Sequence, residues 1–539
     1  MRPVGSTRMD SSVTDPYGAR QGDHDGDRSS NGDKAPPAGL EMVGGRVGAD
    51  EYYEGSVSTM CCGKLSPTTI VYMSAFVSSL TSVLLGYDVG VISGAIKYIE
   101  EDFDLSTLQK GVIISSLNLV AAGGGLIAGT VSDTLGRKRS IAAACVVFIA
   151  GSITKIAAQT FGVLLLGRII TGLGVGCGFV VAPVYIAEIT PPHVRGRLTA
   201  LTADISINLG IVIGYLVAFA VAGTVEGASA KWRTMLGISI IPPFIILSSL
   251  CLLPESPRWL LGKGRETEAF AVLCAIVDTA DLAKRELEEM KIISGEEDAR
   301  KASWRELLFT TSPLLKSTLM LGVGLGIAQQ ASGSEAAVYY SPSVLDDAGL
   351  TSDSAQLGGN ILVGLFKLGG EVFAFFLVDR TGRRPLFIAS SSLVTLFLIT
   401  LAISFAASAP AWITLGGLCL FMWSFSLGMG ALTFLVAAEI FPLRYRGRGV
   451  SLAVCVNRLT SGLVALAFPL LDAGLSAGGT FFLFTLFSLG TVWFYQTMIP
   501  ETMDKTLEEI SAGASRESNE RDTATALGLR PQAGTVNAL

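Results

Sequence analysis

The sequence predicts an all-α polytopic membrane protein with twelve transmembrane helices in two six-helix halves that repeat one plan. Three observations support this. Only 16% of the 539 residues are charged and 50% are hydrophobic, whereas a soluble protein has about 25% charged residues. The apolar residues are concentrated in stretches of about 20 residues, the length that crosses a bilayer core. Motifs of the first half recur in the same order in the second.

The chain divides into tails, spans and one long polar connection. Residues 1–66 are rich in Gly, Asp, Ser and Arg, without the apolar core of a signal peptide, which predicts a disordered cytoplasmic N-terminal tail. The six-helix halves are predicted at 67–253 and 313–499. In the interhalf loop, 254–312, charges at i, i+3 and i+4 predict short cytoplasmic helices. Residues 500–539 are predicted to form a cytoplasmic C-terminal tail. The predicted spans 1 to 12 lie near 68–95, 111–131, 140–158, 161–187, 199–222, 234–253, 314–344, 356–378, 386–407, 411–438, 449–471 and 478–499.

Basic residues are concentrated in alternate connections. Connections 2–3 (GRKR), 4–5 (VRGR), 8–9 (RTGRR) and 10–11 (RYRGR) are short and rich in Arg, whereas intervening ones such as EEDFD and DDAGLTSD are acidic. By the positive-inside rule, the basic connections and both termini face the cytoplasm. The even number of spans agrees with this orientation.

Three motif pairs reveal the internal repeat. DTLGRKR at 133 returns as DRTGRRP at 379, AEITPPHVRGR at 187 returns as AEIFPLRYRGR at 438, and PESPRW at 254 is echoed by PETMDK at 500. Parallel halves of this kind place a ligand site at their interface, near the membrane midplane, in transporters.

Further motifs follow in order along the chain. They are GYDVGVISGA, DTLGRKR, GRIITGLGVG, PVYIAEITPPHVRGR, PESPRWL, QQASG…YYSP, DRTGRRP, EIFPLRYRGRG and PETMDKTLEEI. Over residues 68–512 the chain therefore resembles the sugar-porter family of the major facilitator superfamily, and within it the plant-type polyol/monosaccharide proton symporters. The resemblance implies the major facilitator fold and transport by alternating access.

Asp88 lies within span 1, in LLGYDVGVISG. A carboxylate at membrane depth costs about 2.5 kcal/mol or more unless it is paired, so Asp88 is a functional candidate. Arg168, in LLLGRIITGLG of span 4, is its candidate partner. The resemblance implies that this pair couples transport to protons. The alternative is a static ion pair that joins span 1 to span 4.

The resemblance places the family's sugar-binding glutamine pair on Gln329 and Gln330 and its span 11 asparagine on Asn457. It assigns Tyr339 and Tyr340 to the segment that closes the outer side. Amides suit hydroxyl recognition because they both donate and accept hydrogen bonds. The alternative for a buried glutamine is a bridge between helices worth about 1 kcal/mol. The ASG sequence after the glutamines lets the helix bend or pack closely beside the tyrosines.

Three positions depart from the hexose pattern of the family. Glu335 and Lys367 stand where the hexose pattern has asparagines. Asp204 stands where it has a span 5 glutamine, provided that the alignment is anchored on NLGIVIGY. Counting from the preceding arginine motif instead places Ala203 at that position. Polyol-type porters resemble this chain in having acids and a lysine at these sites, so the resemblance implies a polyol. Charged acceptors also make stronger hydrogen bonds to hydroxyls than amides do. We expect Lys367 to neutralise Glu335 or Asp204, and Glu371 to hold Lys367. The alternative is a purely structural charge cluster.

Span 10 also departs from the family in GMGALTFLVAAEIF. Ala431 stands for a proline and Phe434 for a tryptophan. Phe434 keeps an aromatic face for the substrate but lacks the indole N–H donor, and fewer prolines predict a stiffer helix.

Paired charges recur in the cytoplasmic connections. The resemblance implies a salt-bridge network that latches this side in the outward-open state. Single surface pairs contribute about 0–1 kcal/mol, but repeated pairs can bias a two-state equilibrium. The network comprises Asp133, Arg137, Glu188 and Arg197, then Asp379, Arg383, Glu439 and Arg446, with Glu255 and Arg258 in the interhalf loop.

The predicted function is proton-coupled symport of a polyol, cyclitol or monosaccharide. The predicted partners are that solute, a proton and the lipid bilayer, with a monomer as functional unit, in the plasma membrane or an internal membrane such as that of the vacuole. We expect no enzyme activity, cofactor, metal or nucleic acid, since His24 and His193 lie far apart and no nucleophile–base constellation occurs. The alternatives are a facilitative hexose transporter, with Asp88 structural, and a transporter-like nutrient sensor, which the short C-terminal tail disfavours.

Overall fold

The computed structural model describes residues 66–191, 198, 204–277, 279–298, 303–442 and 444–502. Within these residues the secondary structure is helical. The predicted tails lie almost wholly outside the described residues, as do Arg197 and Ala203.

The first half contains six spans, each close to its predicted position. They are span 1 Pro67–Phe103, span 2 Thr107–Leu135, span 3 Arg137–Ile156, span 4 Phe161–Ile189, span 5 Ser206–Thr224 and span 6 Ala228–Leu250. Four helices follow in the interhalf loop: Pro257–Gly262, Glu266–Ile276, Ala280–Asp298 and Trp304–Leu308. We call the end where span 2 passes into span 3 the arginine-rich end, and the opposite end the far end.

The second half contains the other six spans. Span 7 consists of Pro313–Ala331 and Ser334–Asp347, span 8 is Asp353–Thr381, and span 9 is Arg383–Ala406. Span 10 consists of Ala411–Phe425, Ser426–Gly430 and Ala431–Ile440. One continuous helical segment, Arg446–Met498, bends at Ser476, where φ is +63°. Residues 446–475 are therefore span 11 and residues 477–498 are span 12, and the predicted twelve-span fold is confirmed.

Span 7 bends where the ASG sequence predicts it. Gly333 has φ +78° and ψ +14°, a left-handed conformation that glycine adopts without steric cost. A Cβ at this position would also lie 2.8 Å from the ring of Phe484. The bend separates the glutamine pair from Glu335 and the tyrosines, so that one span presents two short helical ends to the centre of the molecule.

Span 10 is interrupted next to Ala431, and the stiffness predicted from its few prolines stays a prediction. Ser426–Gly430 form a π-turn, a feature that leaves backbone groups without regular helical partners. Polar side chains satisfy them: the Met429 N–H donates to Ser390 Oγ at 3.0 Å, and Gln329 Nε2 donates to the Met429 and Gly430 carbonyls at 2.9 and 3.1 Å.

Span 1 packs tightly on span 5. A Cβ at Gly86 would overlap the Ile207 carbonyl, and one at Gly90 would overlap the Ile211 carbonyl. Small residues at such crossings let helix backbones approach closely in a membrane. This packing fixes the register of span 1 and therefore the depth of Asp88.

Candidate functional site

A small polar cavity lies between the two halves. Its volume is about 50 Å³, enough for water but far below the roughly 300–1,000 Å³ of typical ligand pockets. In this state the cavity is too small for a ligand of ordinary size. The polar residues that line it are Asp204, Asn208, Gln329, Gln330, Ser334, Glu335, Lys367, Glu371 and Arg458, and Phe434 lies among its apolar walls.

The two adjacent glutamines differ in their hydrogen bonding. Gln329 is fully engaged, because its Nε2 donates to the π-turn of span 10 and its Oε1 accepts from Asn457 Nδ2 at 2.5 Å. Gln330 donates weakly to Asn457 Oδ1 at 3.4 Å. Its Oε1 is buried and has no hydrogen-bond partner among the described residues. Gln330 therefore offers a free acceptor at the cavity, whereas Gln329 bridges helices.

Asn457 lies behind the cavity wall. It is fully buried, donates to the Gly326 carbonyl at 3.2 Å, and accepts from Arg458 Nη2 at 2.9 Å. Because it contacts both glutamines as well, it orients the residues that face the cavity.

The charged residues of the cavity pair differently from the prediction. The Glu335 carboxylate lies 3.7 Å from Arg458 Nη1, so Arg458 replaces Lys367 as its nearest cation. Glu371 accepts a hydrogen bond from Asn208 Nδ2 at 3.2 Å, across the interface between the halves. Among the described residues, it forms no ion pair with Lys367. Lys367 Nζ instead lies 6.0 Å from the centre of the Phe425 ring.

Three further observations concern residues of the cavity. Glu335 Oε2 is buried without a hydrogen-bond partner among the residues described. Asp204 lines the cavity, as the alignment anchored on NLGIVIGY requires. The Phe434 ring packs against Phe179 of the other half, with ring centres 6.3 Å apart, and so closes the cavity with an aromatic contact.

Asp88 lies in a separate, fully buried charge cluster. Arg168 Nη1 donates to Asp88 Oδ2 at 2.6 Å, as the sequence predicts. Lys155 Nζ donates to Asp88 Oδ1, also at 2.6 Å. Arg168 is held further by the carbonyls of Ile113 and Ile114, at 3.1 and 3.3 Å. The Asp88 carboxylate thus forms ion pairs with two cations, and all three side chains are 0% exposed.

Lys155 is a residue that sequence reasoning missed. It lies in span 3, one residue before the helix ends at Ile156, where a lysine ordinarily extends toward the membrane surface. The signal that could have found it is the one that identified Asp88: an ionisable residue inside an apolar span requires a partner.

The two tyrosines of span 7 make different contacts. The Tyr339 hydroxyl accepts from Asn118 Nδ2 at 3.0 Å, which joins the halves, whereas Tyr340 donates to the Ala465 carbonyl at 2.9 Å within its own half. Asp353 joins the halves again, because it pairs with Lys97 at 2.6 Å and accepts from the Tyr98 hydroxyl at 3.0 Å.

The arginine-rich end of the first half contains a compact ion-pair arrangement. Arg137 pairs with Glu188 at 2.9 Å and with Asp133 at 3.1 Å. Glu255 Oε1 accepts the Arg137 backbone N–H at 2.9 Å, a favourable position for an anion at a helix N-terminus. Gly136, with φ +95°, makes room for Glu255, because a Cβ there would lie 2.5 Å from its carboxylate.

The second half repeats this arrangement. Arg383 pairs with Glu439 at 3.4 Å, and Glu501 accepts the backbone N–H groups of Arg383 and Arg384 at 3.0 and 3.1 Å. Gly382, with φ +84°, makes the same space, since a Cβ would lie 2.8 Å from Glu501. Each set of ion pairs lies within its own half.

The other members of the predicted network are less engaged. In the described part of the chain, Arg446 Nε is buried without a hydrogen-bond partner, and no hydrogen bond or ion pair is seen for Arg258. Arg197 lies outside the described residues, and so does the side chain of Asp379.

Comparison with known proteins gives consistent matches. A family profile described as "Sugar (and other) transporter" matches residues 74–513. Probable polyol transporter 4 of Arabidopsis thaliana is 40% identical over 82% of this chain and 84% of its own length. The glucose transporter GlcP of Staphylococcus epidermidis is 33% identical over 81% of this chain and 96% of its own.

Solved structures match over nearly their whole length. The proton:xylose symporter XylE with bound 6-bromo-6-deoxy-D-glucose gives a TM-score of 0.71 at 28% identity, over 83% of this chain and 99% of that chain. A partially occluded inward-open structure of XylE from E. coli gives 0.72 at 26% identity, over 81% and 100%.

Proposed function

The chain belongs to the sugar transporter family of the major facilitator superfamily, and we propose that it carries a polyol, cyclitol or monosaccharide together with a proton by alternating access. The proposed functional unit is a monomer with both termini in the cytoplasm. The proposed location is the plasma membrane or an internal membrane such as that of the vacuole.

One observation carries the substrate proposal. The cavity between the halves contains two buried acceptors, Gln330 Oε1 and Glu335 Oε2, that lack partners among the described residues. A buried acceptor without a partner costs about 1–3 kcal/mol. Solute hydroxyls would satisfy both atoms as donors, and a carboxylate acceptor binds a hydroxyl more strongly than an amide does. A polyol, whose hydroxyls rotate freely toward two acceptors, fits this pair well.

The contacts that join the halves support alternating access. The contacts of Asp353 with Lys97 and Tyr98, and of Tyr339 with Asn118, close the far end. Breaking these few polar contacts opens the cavity toward the far end, while the Phe179–Phe434 contact, nearer the arginine-rich end, stays closed. A solute bound between the halves biases that equilibrium because it contacts both.

Proton coupling is assigned to Asp88, an ionisable residue buried beside Arg168 in the membrane-spanning region. The charge of Asp88 attracts Lys155 of span 3 and Arg168 of span 4, so its protonation weakens the links among spans 1, 3 and 4. A second candidate function is facilitated diffusion. The presence of two cations on Asp88 favours it, because such a cluster resists protonation and can hold the spans together permanently.

A competition panel tests the substrate proposal. The full-length chain in proteoliposomes is given radiolabelled sorbitol, with mannitol, myo-inositol, glucose or xylose as competitors, with and without an acidic exterior. We expect acyclic polyols to compete best, and uptake to exceed equilibrium only with the proton gradient. Glucose competing more strongly than every polyol, or identical accumulation without the gradient, contradicts the proposal.

A further inference from the structure

Lys155 has surroundings built to hold a charged amine inside the membrane. Its Nζ lies 2.6 Å from Asp88 Oδ1 and 5.3 Å from the centre of the Phe148 ring. Its aliphatic stem packs over Gly167, where a Cβ would lie 2.8 Å from Lys155 Cγ. The side chain is 0% exposed. The glycine before Arg168 thus gives the lysine its room, the aromatic face favours a cation, and the carboxylate neutralises it.

The charge count of this cluster differs from that of a simple Asp–Arg pair. With Lys155 protonated, Asp88, Lys155 and Arg168 carry a net charge of +1 inside the protein. Protonation of Asp88 then leaves two neighbouring cations without a counter-charge, which is costly in a low-dielectric interior. An Asp–Arg pair without the lysine would be left with only one such cation.

We propose that Lys155 is a positioning residue that sets the pH range of proton coupling by stabilising the ionised form of Asp88. This inference rests on the proposed coupling through Asp88. With the second cation present, protonation of Asp88 requires a more acidic exterior, and its loss allows protonation at higher pH.

The groups around Asp88 support this role. Among the described residues, Lys155 from span 3 and Arg168 from span 4 are the cations within 4 Å of it. Span 2 contributes the backbone carbonyls that hold Arg168. The hydroxyl of the adjacent Tyr87 donates to the Met235 carbonyl of span 6 at 2.7 Å. The Tyr339 hydroxyl of span 7 accepts from Asn118.

The pH dependence of sorbitol uptake tests the proposal. Full-length wild type, Lys155→Met and Lys155→Gln are compared in proteoliposomes, and the external pH of half-maximal uptake is measured for each. Because an opposite charge at this distance commonly shifts a carboxyl titration by about 1–3 pH units, we expect both neutral variants to move the midpoint by that amount toward alkaline pH. Lys316→Met, which removes an exposed lysine, serves as the control and should keep the wild-type midpoint.

Lys155→Arg provides an independent test, because its charge is permanent. If Lys155 is charged in the wild type, the midpoint stays in place. A folded neutral variant with the wild-type midpoint overturns the proposal, and so does an acidic shift in Lys155→Arg, which would mean that the native lysine is neutral. If neither neutral variant folds, Lys155→Arg decides alone.

Asp88→Asn separates this inference from the proposed function. If Asp88→Asn still concentrates sorbitol, proton coupling through Asp88 fails, whatever Lys155 does. If Asp88→Asn loses accumulation while Lys155→Met keeps the wild-type midpoint, only the role of Lys155 fails.

Discussion

The two buried polar clusters of this protein are built on opposite principles. In the cluster around Asp88, both carboxylate oxygens are bound at 2.6 Å and every charged side chain is sealed from solvent. In the cavity, the Glu335–Arg458 pair is looser, at 3.7 Å, and two acceptor atoms have no partner among the described residues. Buried polar networks are stable when every member is satisfied. The first cluster is therefore complete by itself, whereas the second has open acceptors, which we propose a solute fills.

Asp88→Asn should have the largest effect, because it breaks the complete cluster. It leaves Lys155 and Arg168 without a counter-charge, and the loss of one partner of a buried pair costs about 3–5 kcal/mol. In proteoliposomes with an acidic exterior, we expect sorbitol accumulation to fall to the equilibrium level and the melting temperature to decrease.

Two comparisons make this result interpretable. Asp281→Asn changes an exposed acid in the interhalf loop and should leave accumulation and melting temperature unchanged. Equilibrium exchange of sorbitol should persist in Asp88→Asn. Full accumulation in this variant would show that the cluster is only a structural link.

Glu335→Gln should have the next largest effect, because it keeps the shape of the incomplete cluster but removes its charge. Replacing a charged acceptor by a neutral one costs about 1–2 kcal/mol per hydrogen bond, so we expect the KM for sorbitol to rise about tenfold with a smaller change for glucose. Glu306→Gln, at an exposed pair with Arg444, is the matched control. An unchanged KM in Glu335→Gln removes Glu335 from substrate binding.

The two glutamines should separate stability from binding. Gln329 bridges span 7 to the π-turn, so Gln329→Ala should lower stability by about 1 kcal/mol and reduce the melting temperature. Gln330 has the free acceptor, so Gln330→Ala should raise the KM for sorbitol about fivefold with little change in melting temperature. The opposite assignment of the two effects would contradict the division of roles.

The far-end contact of Asp353 should give the smallest effect. Its pair with Lys97 is partly exposed, with side chains 44% and 54% accessible, and such pairs contribute about 0–1 kcal/mol. We expect Asp353→Asn to increase opening of the far end by up to about fivefold. The alkylation rate of a cysteine placed at Ser93, which contacts Asn360 across the interface, measures this opening. A slower rate in the variant would contradict a closing role.

Much of this architecture could be predicted because it depends on local composition. The apolar stretches predicted the spans, and the glycine of ASG predicted the bend at Gly333. The same physical argument, that a buried charge requires a partner, predicted the contact between Asp88 and Arg168. The spans and the bend follow from residues that are close together in sequence. The contact of Asp88 follows from the environment that a single buried charge requires.

The choice among alternative partners could not be predicted. Lys367 and Arg458 both face the cavity, and which cation approaches Glu335 depends on helix rotation and on the position of the Phe425 ring. Lys155 lies near a helix end, where a lysine can either extend to the surface or turn inward. The space that Gly167 leaves for its stem decides between these options, and that space exists only after spans 3 and 4 have packed.

The most direct test of the account is whether sorbitol moves protons. Proteoliposomes containing the full-length chain, at equal pH on both sides and with the membrane potential clamped, receive sorbitol outside while a trapped dye reports internal pH. We predict saturable internal acidification that depends on sorbitol and is absent in Asp88→Asn. Entrance of sorbitol at the same rate without any change in internal pH would contradict proton-coupled transport.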